Sequence, residues 1–127
     1  MIYLDTSALA TFVGAQPETT TLRAYLANHT NQRWFTCALT GLELRRNHPD
    51  AHPDQIHTVM ASLDTAAVTD RLLAAAAQLP TTVDLTTALH IAAAQTAGRR
   101  LTAFITFDPQ RAAAAATAAA LPVLDCR

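Results

Sequence analysis

Lysine is absent from this chain, and each of its nine basic residues is an arginine. Arginine suits two-point contacts to phosphate, but with so much alanine present we attribute the bias to a GC-rich genome. The formal net charge is −1, so no overall positive charge draws the chain to nucleic acid. Charged residues make up only 15% of the chain and hydrophobic residues 50%, a balance that excludes an intrinsically disordered protein.

Cysteine and long apolar runs are also scarce. The two cysteines, Cys37 and Cys126, do not have the spacing of metal ligands, which favours a reduced, intracellular chain, and we expect a cytoplasmic location. The run Leu72–Leu79 is too short to cross a bilayer. Asp5 interrupts the apolar start and no basic leader precedes it, so we expect neither a signal peptide nor membrane association.

Apolar segments of strand length alternate with segments of helical pattern. This alternation predicts an α/β fold with a central parallel sheet and helices on both faces. The 127 residues fit one domain, covering 1–127. Strands are predicted at Ile2–Asp5, Arg33–Cys37, Thr65–Val68, Leu101–Phe107 and Leu121–Leu124. Helices are predicted from Thr6, after Pro17, at Ala38–Arg46, Asp54–Leu63 and Asp70–Leu79, then after the break Pro80–Thr82 as far as Gly98, and at Ala112–Ala120.

Two of these strands end in a carboxylate. Asp5 closes the first strand and Asp108 closes the strand Leu101–Phe107, so both belong at the carboxyl edge of the sheet, where α/β proteins build their sites. Glu43 lies in an apolar helical pattern and is not expected to be fully solvated. Oxygen ligands of this kind suit Mg²⁺ or Mn²⁺, and the three acids predict a site for such an ion.

Each acid also has a purely structural interpretation. Asp5 and Asp108 each precede a predicted helix and could serve as its N-cap, with Pro109 at the first helical position. Glu43 could form a buried ion pair with Arg45 or Arg46. Acids gathered at one site would also repel one another, which predicts a raised pKa for at least one of them in the absence of metal.

Four blocks of sequence carry a resemblance to a known family. The chain resembles PIN-domain ribonucleases, and most closely VapC-type toxins of bacterial toxin–antitoxin pairs. The resemblance covers essentially the whole chain. It implies a three-layer PIN-like fold, an Mg²⁺- or Mn²⁺-dependent endoribonuclease acting on RNA, a small VapB-like antitoxin and a homodimer. The four blocks, in family order, are Ile2–Leu9, Thr40–Leu44, Ala88–Ala94 and Leu101–Asp108.

The chain departs from the family pattern at one acid. The family places its third acid immediately before the block that begins at Ala88, where this chain has Thr87. The nearest acid, Asp84, lies three residues earlier and would share a helix face with Thr87. Two readings follow. Asp84 completes the catalytic set with Asp5, Glu43 and Asp108, or the chain is a catalytically impaired PIN domain that binds RNA or an antitoxin without cleavage. Asp84 could also be a plain N-cap.

Neighbouring polar residues have candidate supporting roles. Thr6, Thr87 and Thr106 flank the acids and could orient metal-bound water. Arg45 and Arg46 follow Glu43 and could contact RNA phosphates. His90, on an apolar helical pattern, is expected to be a core residue, and the alanine-rich segment Arg111–Ala120 is expected to form a helix without a special role.

Overall fold

The computed structural model describes residues 1–14 and 18–124. Its centre is a five-stranded, all-parallel sheet in the order β3-β2-β1-β4-β5. The elements in chain order are β1 (Ile2–Leu4), α1 (Thr6–Ala10), α2 (Glu18–Ala27), β2 (Trp34–Cys37), α3 (Leu39–Asn47), α4 (Pro53–Ala61), β3 (Asp64–Ala66), α5 (Asp70–Ala77), α6 (Leu85–Gln95), a short 3₁₀ turn (Gly98–Arg100), β4 (Ala103–Ile105), α7 (Pro109–Ala118) and β5 (Val123–Leu124).

Alternate strand residues build a separate apolar core on each face of the sheet. Tyr3 and Phe104 lie in one core, with the buried side of α6. Ile2 and Leu4 lie in the other, with Leu9 of α1. Parallel strands that are covered on both faces have nearly continuous apolar sequences, and β1 is an example. The predicted α/β class, with helices on both faces of a parallel sheet, is therefore confirmed.

Capping residues set where the helices begin. Asp108 accepts hydrogen bonds from the backbone at the start of α7, so this helix begins at Pro109, three residues before the predicted Ala112. Asp84 caps α6 in the same way, and the segment Pro80–Thr82 lies outside the helix. Proline at the first helical position costs no hydrogen bond, because a backbone N–H at this position would have no partner within the helix.

The strands are shorter than their apolar patterns. β4 covers Ala103–Ile105 within the predicted Leu101–Phe107, because Thr106 and the residues after it turn toward the site. The predictions for Pro17 and Cys126 fall outside the described residues. None of the helices in the described part of the chain is long and apolar enough to span a membrane.

Candidate active site

Asp5 is a fully buried carboxylate at the carboxyl end of β1. Its Oδ1 accepts hydrogen bonds from Ser7 Oγ at 2.7 Å and from the backbone N–H of Ala8 at 3.0 Å. Its Oδ2 accepts from Thr106 Oγ1 at 2.6 Å and from Arg111 Nη1 at 2.8 Å. Both oxygens are therefore satisfied by donors from within the chain, which is what a buried carboxylate requires.

Arg111 supplies the positive charge at this carboxylate. Its side chain is 9% exposed, and its Nε donates to Thr87 Oγ1 at 3.1 Å. The guanidinium thus bridges Asp5 and Thr87, and Thr87 is the position at which the family pattern has an acid. A buried ion pair of this kind is stable only when further hydrogen bonds satisfy its remaining donors and acceptors.

Two hydroxyl groups join the ends of β1 and β4. Ser7 Oγ, which donates to Asp5, accepts from the backbone N–H of Phe107 at 2.8 Å. Thr106 Oγ1, which also donates to Asp5, accepts from the backbone N–H of Asp108 at 3.0 Å. These bonds fix the Asp5 carboxylate against the segment that leads into α7, and so they fix the approach of Arg111.

Glu43 is held by hydrogen bonds from β1–α1 and from α6. Glu43 Oε1 accepts from Thr6 Oγ1 at 2.7 Å and from His90 Nε2 at 2.9 Å. His90 is fully buried, and its Nδ1 lies 2.6 Å from Tyr3 Oη. The tautomer with hydrogen on Nε2 satisfies both contacts, since Tyr3 then donates to Nδ1 and Nε2 donates to the carboxylate. The partner of Glu43 is therefore His90, not Arg45 or Arg46.

These contacts keep Glu43 ionised. Burial opposes ionisation of Glu43, but hydrogen bonds from His90 and Thr6 and the charge of Arg111 outweigh it, and its pKa is lowered. Burial raises the pKa of Tyr3 well above its usual value, so its hydroxyl keeps its proton. Because 21% of the Glu43 side chain is exposed, this carboxylate can meet a substrate.

Asp108 and Asp84 each cap a helix at the same edge of the sheet. Asp108 Oδ1 accepts from the backbone N–H groups of Gln110 at 3.0 Å and Arg111 at 3.2 Å. Asp84 Oδ2 accepts from the backbone N–H of Thr87 at 3.4 Å. Hydrogen bonding to Thr87 lowers the pKa of Asp84 against the opposing effect of burial, and the nearby charge of Arg111 adds to the lowering.

Repulsion among the acids does not determine the pKa values of Glu43 and Asp84. Both pKa values move downward, where mutual repulsion would raise them. Arg111 contributes to the lowering at each carboxylate. The guanidinium therefore acts on Asp5, Glu43 and Asp84 together.

The donor set in this arrangement does not fit a divalent ion. Within residues 1–14 and 18–124, no three His, Cys, Asp or Glu side chains are grouped closely enough to hold one metal. Both oxygens of Asp5 are engaged, and its Oδ2 already accepts a hydrogen bond from the cationic Arg111. The roles of Asp5, Glu43, Asp84 and Asp108 as metal ligands stay predictions.

Arg45 and Arg46 lie apart from this network. They occupy the last turn of α3, and both are exposed. A positive charge is favourable at the carboxyl end of a helix, so their position needs no ligand to explain it. It also leaves both guanidinium groups accessible.

Two ribonucleases of Mycobacterium tuberculosis are similar to this chain. Ribonuclease VapC35 of Mycobacterium tuberculosis, from strains CDC 1551 / Oshkosh and ATCC 25618 / H37Rv, is 37% identical over 130 residues, covering 98% of this chain and 96% of that protein. Ribonuclease VapC47 of strain CDC 1551 / Oshkosh is 34% identical over 116 residues, covering 85% of each chain. No family model matches the sequence.

The chain belongs to the VapC family of PIN-domain ribonucleases. The identity extends over nearly its full length, so the resemblance drawn from the four sequence blocks is confirmed.

Sequence reasoning missed one principal residue of the site and underrated another. The sequence predicts Arg111 only as part of an alanine-rich helix, although a positive charge in the first turn of a helix is unfavourable and needs a compensating contact. That contact is Asp5. His90 was expected to be a core residue, and it is buried, but it also connects Tyr3 to Glu43.

Proposed function

We propose that the chain is an endoribonuclease toxin of a VapBC-like toxin–antitoxin pair that cleaves RNA phosphodiesters at the carboxyl edge of its sheet. The observation that carries this proposal is the hydrogen-bonded connection between the end of β1, where Asp5 lies, and Glu43 of α3. The residue next to Asp5, Thr6, donates directly to Glu43, and family membership supplies the class of reaction. Asp84 and Asp108 are the further acids assigned to the site, with Thr6, Thr87 and Thr106 as supporting residues.

The chemistry assigned to this chain begins at Glu43. Its lowered pKa leaves it ionised at neutral pH, so it can accept a proton from an attacking water. As that water bonds to phosphorus, the bond from phosphorus to the leaving sugar oxygen breaks, and this oxygen takes up a proton from solvent to leave as the sugar alcohol. His90 positions the Glu43 carboxylate, and Tyr3 fixes the tautomer of His90. Mg²⁺ or Mn²⁺ is the cofactor that the family resemblance implies, but the donor arrangement around Asp5 does not fit it.

Single-stranded or looped RNA is the proposed substrate, since its backbone is accessible to an open groove. Arg45 and Arg46 are proposed to contact its phosphates, because they are exposed on the helix that carries Glu43. Arginine suits this role through its planar, two-point hydrogen bonding. A cytoplasmic location agrees with such a substrate.

A small VapB-like antitoxin is the proposed protein partner. A largely apolar cavity of about 650 Å³ lies between α1, α2 and α4, lined in part by Leu9, Phe12, Leu26, Trp34 and Val59. Trp34 Nε1 is buried and has no hydrogen-bond partner among the described residues. We also propose a homodimer, for which Leu73 and Leu85 offer exposed apolar surface.

Cleavage of a labelled single-stranded RNA tests the proposed activity. The wild type, Asp5→Asn and Glu43→Gln should be compared in Mg²⁺, in Mn²⁺ and in EDTA. Glu43→Gln should lower the cleavage rate by about 100-fold or more, as expected for loss of a general base. Asp5→Asn should also lower it, because Asp5 holds Thr106 and Arg111 in place. An exposed control, Arg99→Met, lies before β4 at the opposite edge of the sheet and should cleave like the wild type. Equal cleavage by all four proteins would reject the site.

A second candidate function rests on the contact between Arg111 and Thr87. Because Thr87 replaces a family acid and Arg111 neutralises Asp5, the chain could be a catalytically impaired PIN domain that binds RNA or an antitoxin without cleavage. No cleavage by the wild type in any of the three conditions, together with retained RNA binding, would favour this function.

A further inference from the structure

The guanidinium of Arg111 is built into the site. One nitrogen donates to the fully buried Asp5, and another donates to Thr87, which is 3% exposed. The side chain of Arg111 itself is 9% exposed. Such contacts on two separate elements, β1 and α6, hold the cation in one position.

The position of this charge is unfavourable except for the contacts that it makes. Arg111 lies in the first turn of α7, where the helix dipole disfavours a positive charge. Its own backbone N–H donates to the capping carboxylate of Asp108. The pairing with Asp5 therefore accounts for a cation at this place.

We propose that Arg111 is the resident cation of this site and competes with any divalent ion for Asp5. Two cations cannot share one buried carboxylate without strong repulsion in a medium of low dielectric. Thr87 completes the arrangement, because it offers the guanidinium an uncharged acceptor where an acid would attract a metal. The chain should therefore bind Mg²⁺ and Mn²⁺ weakly, and this holds whether or not RNA is cleaved.

Binding of Mn²⁺ to the full chain tests the proposal without RNA. Free Mn²⁺ is measured by electron paramagnetic resonance during titration of the wild type, Arg111→Met and the control Arg99→Met. Arg111→Met should bind Mn²⁺ at least about tenfold more tightly than the wild type, because Asp5 is released and a repelling charge is removed. Arg99→Met removes the same charge from an exposed turn at the opposite edge of the sheet and should match the wild type.

The Thr87→Asp variant keeps the test decisive if Arg111→Met does not fold. With Arg111 present, the new carboxylate should pair with the guanidinium, and Mn²⁺ affinity should change by less than about threefold. In Thr87→Asp/Arg111→Met, both carboxylates become available, and binding should be the tightest of the series.

Two results would overturn the proposal. One is equal Mn²⁺ affinity in the wild type and a folded Arg111→Met. The other is tight Mn²⁺ binding by Thr87→Asp while Arg111 is still present. Loss of RNA cleavage would leave these binding measurements intact, so failure of the proposed activity is distinguishable from failure of this proposal.

Discussion

Tyr3 and His90 form a fully buried hydrogen bond across the sheet–helix interface, with 2.6 Å between Oη and Nδ1. The tyrosine extends from β1 and stacks on Phe104 of β4, with ring centroids 5.2 Å apart. His90 extends from α6, and its Nε2 donates a hydrogen bond to Glu43. The contact with Tyr3 therefore also fixes the position of the Glu43 carboxylate. One short polar chain therefore connects the core of the sheet to the proposed site.

Tyr3→Phe should destabilise the fold by about 1–3 kcal/mol, because His90 Nδ1 loses its donor in a fully buried position. The measurement is urea unfolding of Tyr3→Phe, His90→Leu and the double variant. The double variant should be less destabilised than the sum of the single variants, since the two side chains interact directly. Additive losses would show that the contact does not couple them.

Among the ion pairs of the described residues, the Asp5–Arg111 pair should cause the largest loss of folding stability when one partner is removed. Asp5→Asn leaves the Arg111 guanidinium buried without its countercharge and should cost about 3–5 kcal/mol. The exposed pair of Arg33 and Asp64, whose side chains are 74% and 50% exposed, is the matched control. Breaking it with Asp64→Asn should cost less than about 1 kcal/mol. Urea unfolding measures both losses of stability. Similar losses in Asp5→Asn and Asp64→Asn would show that burial does not strengthen the Asp5–Arg111 pair.

The sheet could be predicted from the sequence because each strand is indicated by a short stretch of neighbouring residues. Short apolar runs such as Ile2–Leu4, separated by helical patterns, define parallel strands covered on both faces. The placement of Asp5 and Asp108 at one edge follows from the same logic, because parallel strands all end at the same edge. The capping role of Asp84 was likewise one of the readings that the sequence allowed.

The contact between Arg111 and Asp5 could not be predicted in this way. The long side chain of Arg111 on α7 reaches the end of β1, more than a hundred positions earlier in the chain. Periodic sequence patterns describe local structure and do not indicate such a distant contact. The network from Tyr3 to Glu43 has the same character. A histidine on an apolar helix face indicates burial, but the partners of His90 come from β1, α1 and α3. Only the packed structure brings them together.

Glu43 should make the stability of the fold depend on pH in the acid range. Its pKa is lowered in the folded chain, so its ionised form stabilises the native state. That stabilisation is fully present above the unfolded-state pKa, about 4.3, and is lost as the pH falls through the lower folded-state pKa. Glu43→Gln should reduce the loss of stability between about pH 5 and pH 3, measured by urea unfolding. Asp50→Asn, in an exposed turn, controls for the loss of one carboxylate.

Asp84 is proposed both to cap α6 and to serve the site, and two substitutions separate these roles. Asparagine caps helices about as well as aspartate, so Asp84→Asn should keep the wild-type stability while removing the charge. Asp84→Ala removes the cap as well and should cost about 1 kcal/mol. If the carboxylate acts in cleavage, both variants should lose activity to a similar degree, about tenfold or more, despite their different stabilities. Unfolding in urea and RNA cleavage should be measured on the same preparations. Full activity in Asp84→Asn would restrict this residue to its capping role, because the hydrogen bond to Thr87 would then be the only function that its side chain performs.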